Sequence, residues 1–167
     1  HAQVLSPSDL PRLSQLHVIA SMQPTHATSD MPWAEDRVGP QRIIGAYAWR
    51  QLRDSGARLA LGSDFPVESA DPRFGLYPAT TRADAQGLPA GGWFPQEKLT
   101  AFEALRGFTV DAAYAGFAET QVGSLAVGKH ADFVVLTEDP LAIAPNGLRN
   151  LTVQATYVDG KPVYRAK

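Results

Sequence analysis

The stretch Arg58-Leu59-Ala60-Leu61-Gly62-Ser63-Asp64-Phe65-Pro66 decides the fold prediction for this chain. A short apolar run ends abruptly in Gly-Ser-Asp, which is typical of a buried strand that carries a carboxylate at its tip. In a (β/α) barrel the strand tips build the active site, so an acid at this point indicates chemistry. The alternative for an isolated Gly-Ser-Asp is a turn in which Asp64 caps the next element.

Two histidines occur in comparable positions. His1 opens the chain, and His26 follows an apolar run that ends in Gln23-Pro24. Because the carboxyl ends of neighbouring parallel strands lie on one face, we expect His26 and Asp64 to border the same pocket. Two imidazoles and a carboxylate are ligands that a divalent cation such as zinc accepts.

Composition narrows the function classes. The chain has 167 residues, 44% of them apolar and 19% charged, with a formal net charge of −2 and no cysteine. No apolar run approaches the ~18 residues of a membrane span, and no basic block points to nucleic acid. We therefore expect a cytoplasmic protein that binds neither nucleic acid nor membrane. Without cysteine, any metal site must use His, Asp or Glu.

The chain begins at His1 without an initiator methionine or a charged targeting segment. This start is typical of the middle of a domain. We therefore expect the chain to be a piece of a longer protein.

The pattern along the chain predicts a parallel α/β unit. Residues 17–22 and 57–61 are predicted strands, and a helix that opens at Gly39-Pro40 is predicted between them. Polar, proline- and glycine-containing loops are predicted over residues 27–39 and 65–95.

The second half of the chain changes its pattern. Helical spacing over residues 99–117 gives way after Gly123 to a period of two. Asp159-Gly160 lies between two short apolar runs and predicts a hairpin turn. These last residues are predicted to form a separate small β layer.

Four segments in this order resemble a known family. They are His1-Ala2-Gln3, the run Ser21 to His26, the run Leu61 to Glu68, and the tail from Gly123-Ser124-Leu125 through Gly128-Lys129-His130-Ala131-Asp132 to Leu136. Together they resemble the C-terminal part of an amidohydrolase-superfamily enzyme, in the branch of metal-dependent hydrolases with N-substituted formamide deformylase-like members. The combination of Gly-Ser-Asp with this tail carries the resemblance.

The resemblance implies a fold and a site. It implies an α/β fold in which residues 1–121 form the last strands and helices of a TIM-type (β/α) barrel, and residues 122–167 form strands of a small composite β-sandwich. His1 matches a metal-ligating histidine at the end of the sixth barrel strand. Asp64 matches the aspartate that ends the eighth strand, binds metal and carries the proton. His26 matches a histidine after the seventh strand, near the substrate.

The implied reaction is metal-assisted hydrolysis of a carbon–nitrogen bond in a small molecule that contains a non-peptide amide. The implied cation is zinc. Asp64 would accept a proton from the attacking water and pass it to the departing amine.

Two other classes of function remain open. The chain could be a non-catalytic structural fragment that folds by association, or a binding protein that kept the fold. The family's remaining metal ligands would lie upstream of His1, so we expect this chain alone to be inactive. We also expect it to associate, with itself or with a missing N-terminal half, through apolar groups such as Ile43, Ile44 and Tyr47.

Overall fold

Two separate sheets organise the protein. The computed structural model describes all 167 residues. Strands β1 (Ala20–Met22) and β2 (Leu59–Leu61) form a parallel pair. Strands β3 (Phe133–Leu136), β4 (Val153–Val158) and β5 (Lys161–Arg165) form an antiparallel sheet in that order. The structure is therefore mixed α/β, as the sequence predicts.

Helices surround the parallel pair. The α-helices are α1 (Leu10–Gln15), α2 (Pro24–Asp30), α3 (Ala34–Val38), α4 (Trp49–Asp54), α5 (Pro72–Thr81), α6 (Ala101–Phe108) and α7 (Val110–Ala115). Short 3₁₀ turns occur at Pro7–Asp9, Ile43–Gly45, Pro95–Glu97 and Pro145–Asn150. None of these helices is long and apolar enough to cross a membrane.

The parallel pair forms the centre of the main core. Ala20 pairs with Leu59 and Met22 with Leu61, and all four side chains are buried. Burial on both faces explains why these strands read as apolar runs rather than as alternating patterns. The prediction of two parallel strands is confirmed, although both strands are shorter than predicted.

Helix α6 packs very close to β2. The sequence places Gly107 at the contact, where an added Cβ would lie 2.5 Å from Cγ of Leu61. Thr100 caps this helix with a reciprocal capping box to Glu103, which fixes where the helix begins. The helical prediction for this region is confirmed, with a break at Thr109 between α6 and α7.

The two predicted loops were wrong, because each contains helix. Helix α2 and helix α3 occupy most of residues 27–39, and α5 lies within residues 65–95. Pro24 and Pro72 stand at the first helical position, where a missing N–H costs nothing. Pro78 lies inside α5, yet the second half of that helix is buried, so tertiary packing overrides a poor local propensity.

The helix predicted after Gly39-Pro40 is interrupted. Tyr47 adopts a left-handed conformation (φ 52°) between the turn at Ile43–Gly45 and α4. Ile43 and Tyr47 are buried, so the expectation that they form an exposed apolar face was wrong. Ile44 is 54% exposed and fits that expectation.

The C-terminal hairpin forms where the sequence predicts it. Asp159 and Gly160 both have positive φ, which is the backbone of the tight turns that join twisted antiparallel strands. Upstream of β4, Leu148 and Leu151 pack with Tyr77 of α5 in a second, smaller core cluster. This cluster attaches the C-terminal segment to the helices.

Candidate metal centre

The carboxyl ends of β1 and β2 present His26 and Asp64 on the same face. The Gly62 N–H bonds the Met22 carbonyl at 3.0 Å, which extends the pairing one residue beyond the strands. Asp64 then turns the chain in a left-handed conformation (φ 57°), which aspartate tolerates better than most residues. His26 lies in the first turn of α2, directly after β1.

His1 reaches the same point from the start of the chain. The Ala2 N–H donates to the Ser21 carbonyl at 2.9 Å, which places the first residues alongside β1. Ala2 also packs against the main core. The imidazole of His1 therefore lies at the end of β1, beside His26.

The three side chains form one compact cluster. Nε2 of His1 lies 2.9 Å from Oδ2 of Asp64, and Nε2 of His26 lies 4.0 Å from the same oxygen. The two imidazole rings meet edge to face with their centroids 5.5 Å apart. All three donor atoms lie within 4.8 Å of one another.

This geometry fits a divalent cation. With ligand bonds of about 2.1 Å, tetrahedral zinc holds its donor atoms roughly 3.4 Å apart. The two separations from Asp64 lie on either side of that value. His26 is 8% exposed, and its buried Nε2 has no hydrogen-bond partner within the protein. A buried nitrogen without a partner is unfavourable unless a ligand satisfies it.

The cluster is open to solvent on one side. The side chains of His1 and Asp64 are 39% and 37% exposed, in contrast to His26. A cation bound there would have protein on one side and access for a small molecule on the other. The expectation that His26 and Asp64 lie on the same strand-end face is confirmed, and His1 joins them.

Sequence reasoning missed three polar residues next to this cluster. The side chains of Gln3, Asp30 and Tyr47 hydrogen-bond to one another. Burial raises the pKa of Tyr47, and the hydrogen bond to Asp30 adds to the increase. One signal was present in the sequence, since Asp30 follows His26 by four residues and so lies on the same helix face.

A cavity of about 720 Å³ opens beside α2 and α5. Its wall includes Thr25 and Glu68, which neighbour His26 and Asp64 in sequence, and also Arg149 from the C-terminal segment. Ser29 donates to Glu68 at 2.7 Å across this region. His1, His26 and Asp64 do not line the cavity themselves.

The chain belongs to the amidohydrolase family, whose sequence profile matches residues 1–164. The match includes all three residues of the cluster. The resemblance predicted from the four sequence segments is therefore confirmed.

Individual relatives agree with the family assignment. The protein YtcJ of Bacillus subtilis is 35% identical over 98% of this chain. A protein of Arthrobacter pascens named N-substituted formamide deformylase is 39% identical over 72% of this chain. The matched regions cover 31% and 22% of those two proteins, so the chain spans less than a third of their length.

Solved structures show the same fold. A metal-dependent hydrolase from Pyrococcus horikoshii superimposes with a TM-score of 0.75 at 29% identity. The superposition covers 87% of this chain and 29% of that protein.

Proposed function

We propose that the protein takes part in zinc-dependent hydrolysis of a carbon–nitrogen bond in a small molecule that contains a non-peptide amide. The cluster of His1, His26 and Asp64 at the strand ends is the observation that carries this proposal. Membership of the amidohydrolase family supports it, as does the relative named for deformylation of N-substituted formamides.

His1 and Asp64 are the proposed metal ligands. A divalent cation held there would supply Lewis-acid polarisation of the substrate carbonyl and would ease ionisation of a water molecule. A catalytic zinc site normally has three protein ligands. We propose that further ligands come from parts of a longer polypeptide, in keeping with the greater length of the relatives.

Asp64 is the proposed general base and then general acid. Its Oδ2 faces both imidazoles, whereas its Oδ1 makes no hydrogen bond within the protein and remains able to take a proton. In the proposed reaction Asp64 accepts a proton as water forms a bond to the carbonyl carbon. It then returns the proton to the nitrogen as the carbon–nitrogen bond breaks, which releases an amine.

His26 is the proposed substrate-binding residue. Its Nε2 has no hydrogen-bond partner and lies 4.0 Å from Oδ2 of Asp64, which supports a polar contact to a substrate that binds beside that carboxylate. The same atom is also near enough to act as a third ligand. A His26→Gln variant separates the two roles. We expect KM to rise while zinc affinity stays unchanged, and a loss of zinc affinity would make His26 a ligand instead.

The finer architecture is also a proposal. We infer that residues 1–121 are the last part of a TIM-type barrel and that residues 122–167 contribute strands to a composite β-sandwich. Support comes from the parallel strands with helices around them and from the separate antiparallel sheet.

Self-association is the proposed behaviour of the isolated 167 residues. Large apolar side chains are highly exposed at Phe117, Leu125 and Val127. Exposed apolar groups on neighbouring segments favour contact with another protein surface. Sedimentation of the isolated chain tests this, with a stable monomer as the contradicting result.

The main experiment measures zinc content and amide hydrolysis in the full-length protein that contains this chain. We expect one or more equivalents of tightly held zinc and release of formate from N-substituted formamides. We also expect loss of activity with a chelator and recovery with added zinc. Absence of bound zinc would favour a non-catalytic structural role. Zinc binding without turnover of any simple amide would favour a binding protein.

A further inference from the structure

Three polar side chains form a hydrogen-bonded cluster beside the residues that carry the candidate metal centre. Nε2 of Gln3 donates to Oδ2 of Asp30 at 2.6 Å and to the hydroxyl of Tyr47 at 2.6 Å. The Tyr47 hydroxyl in turn donates to Oδ2 of Asp30. Gln3, Asp30 and Tyr47 are called the anchor cluster below.

The anchor cluster joins the segments on which two of the candidate site residues lie. Gln3 is two residues from His1. Asp30 is the last residue of α2, one turn beyond His26 on the same face. Tyr47 precedes α4 and belongs to neither segment. The cluster therefore cross-links the segment of His1 to the helix of His26 through a third part of the chain.

Backbone contacts strengthen the same link. The Tyr47 N–H donates to the Gln3 carbonyl at 2.8 Å, and the Leu5 N–H donates to the Gly45 carbonyl at 3.0 Å. Val4 and Ala46 form an isolated antiparallel bridge between these hydrogen bonds. Residues 3–5 are thus held by residues 45–47.

Tyr47 is itself fixed in an unusual conformation. Its φ of 52° is unfavourable for a large side chain and persists only where the surroundings impose it. Nη1 of Arg82 donates to its carbonyl at 2.9 Å. Arg82 is fully buried, and its guanidinium lies 4.2 Å from the ring centroid of Trp49 and 5.1 Å from that of Trp93.

The anchor cluster acts through other residues rather than on a substrate. Tyr47 is 2% exposed, so a substrate cannot reach it directly. His1, in contrast, is 39% exposed and its imidazole hydrogen-bonds only Asp64. An exposed imidazole needs support from neighbouring groups to keep a fixed position, and such outer groups tune metal affinity.

We propose that the anchor cluster is a positioning network that holds His1 at its distance from Asp64 and His26. The inference rests on the proposed function for the identity of the bound cation, and on the observed contacts for the geometry. Gln3, Asp30 and Tyr47 are positioning residues in this scheme.

The test compares two glutamine variants of the full-length protein that contains this chain, which is the parent protein. Gln3→Leu removes the amide that links the His1 segment to the cluster but leaves the Tyr47–Asp30 hydrogen bond in place. The matched control is Gln51→Leu. Nε2 of Gln51 donates to the Glu97 carboxylate at 2.7 Å, and neither residue belongs to the candidate metal centre. Tyr47→Phe is the second variant within the anchor cluster, since it removes the hydroxyl but keeps the buried ring.

Crystal structures of the variants give the first readout. In Gln3→Leu and Tyr47→Phe we expect the His1 imidazole to move away from Asp64 or to occupy several positions instead of one. In Gln51→Leu we expect the 2.9 Å contact of the parent protein to remain. Unchanged placement of His1 in both cluster variants would overturn the inference, and so would absence of the contact from the parent protein.

Cobalt and zinc binding give the second readout. The visible spectrum of bound cobalt(II) reports ligand geometry, which a general loss of stability does not alter. In Gln3→Leu we expect a changed spectrum and about tenfold weaker zinc binding. This is the smaller of the losses in affinity seen when a group that supports a metal ligand is removed, because Gln3 does not contact the ligand atoms directly. Equal spectra and affinities in Gln3→Leu and Gln51→Leu would overturn a role in metal binding.

The two proposals fail in different ways. If the parent protein keeps the His1–Asp64 contact but binds neither metal, the proposed function is wrong. The crystal structures then still decide whether the anchor cluster positions His1.

Discussion

The two ends of strand β2 differ sharply in how their charges are satisfied. Arg58 lies directly before the strand and faces Asp111, which is 2% exposed and accepts from Arg106 at 3.1 Å. Arg53 and Arg58 also lie within 4 Å of that carboxylate. At the other end, Asp64 pairs only with imidazoles and is 37% exposed.

The contrast indicates that the Asp111 end of β2 contributes to stability and the Asp64 end to function. This buried carboxylate is costly to remove, because Arg58 and Arg106 would lose their carboxylate partner, whereas Arg53 would keep Glu103. Both ends hold a buried atom without a hydrogen-bond partner, Oδ2 of Asp111 at one and Nε2 of His26 at the other. The three arginines offset the charge of Asp111, whereas the Asp64 end brings together three side chains that can bind a cation. Barrel enzymes divide the two ends in the same way, with chemistry at the carboxyl ends of the strands.

The largest expected effect tests the Asp64 end. In Asp64→Asn we expect kcat/KM for amide hydrolysis by the full-length protein to fall a hundredfold or more, because an amide cannot accept the proton. Unfolding by urea should be nearly unchanged. Asp159→Asn, at the exposed hairpin turn, is the control and should keep full activity. Near-normal activity in a folded, zinc-loaded Asp64→Asn protein would make Asp64 structural.

The next effect tests the opposite end. Asp111→Ala should lower the free energy of unfolding by about 2 kcal/mol, because three partly exposed arginines lose their shared carboxylate. Asp54→Ala is the control, since that exposed carboxylate pairs with Arg50 at 3.5 Å and should cost about 0.5 kcal/mol or less. Zinc affinity should not change in either variant. A large loss of zinc affinity in Asp111→Ala would contradict the assignment of stability to one end of β2 and of metal binding to the other.

A pH-dependent change in stability is expected from Glu103, which pairs with Arg50 and Arg53. Hydrogen bonds from Arg50 lower the pKa of Glu103 from 4.5 to about 2. Since the folded pKa is below the unfolded value, its stabilisation is present above about pH 4.5 and is lost as the pH falls toward 2. Between pH 6 and pH 3 the parent protein should lose about 2 kcal/mol more than Glu103→Gln. Urea unfolding measures this, with exposed Glu138→Gln behaving like the parent protein.

The smallest expected effect concerns the start of α6, the helix that carries Arg106. Thr100→Ala removes the hydroxyl of the capping box and should cost about 1 kcal/mol of unfolding free energy. Thr100→Ser keeps the hydroxyl and should cost much less. Equal losses in the two variants would show that packing of the methyl group, rather than capping, stabilises this end.

Local patterns predicted the parts of the fold in which neighbouring residues decide the structure. The apolar runs before His26 and Asp64 are strands, and Asp159-Gly160 forms the hairpin turn. Parallel pairing placed His26 and Asp64 on the same face, so that part of the candidate site was predictable as well. Each of these features follows from strand period, strand direction or turn chemistry.

Tertiary contacts decided the rest. Helix α5 forms despite an internal proline because its second half is buried, and Tyr47 takes a left-handed conformation because Gln3, Asp30 and Arg82 bond to it. Asp111 belongs to a helix, and only tertiary packing places three arginines around it.

By itself, the sequence determined that polar groups follow two buried parallel strands and that a β hairpin ends the chain. The tertiary structure alone decided that His1 approaches Asp64 to 2.9 Å and that the anchor cluster lies beside it. Such contacts join residues up to 63 positions apart, so no local preference specifies them. They form because folding brings these polar groups together at the edge of a shared core, where each stabilises the next.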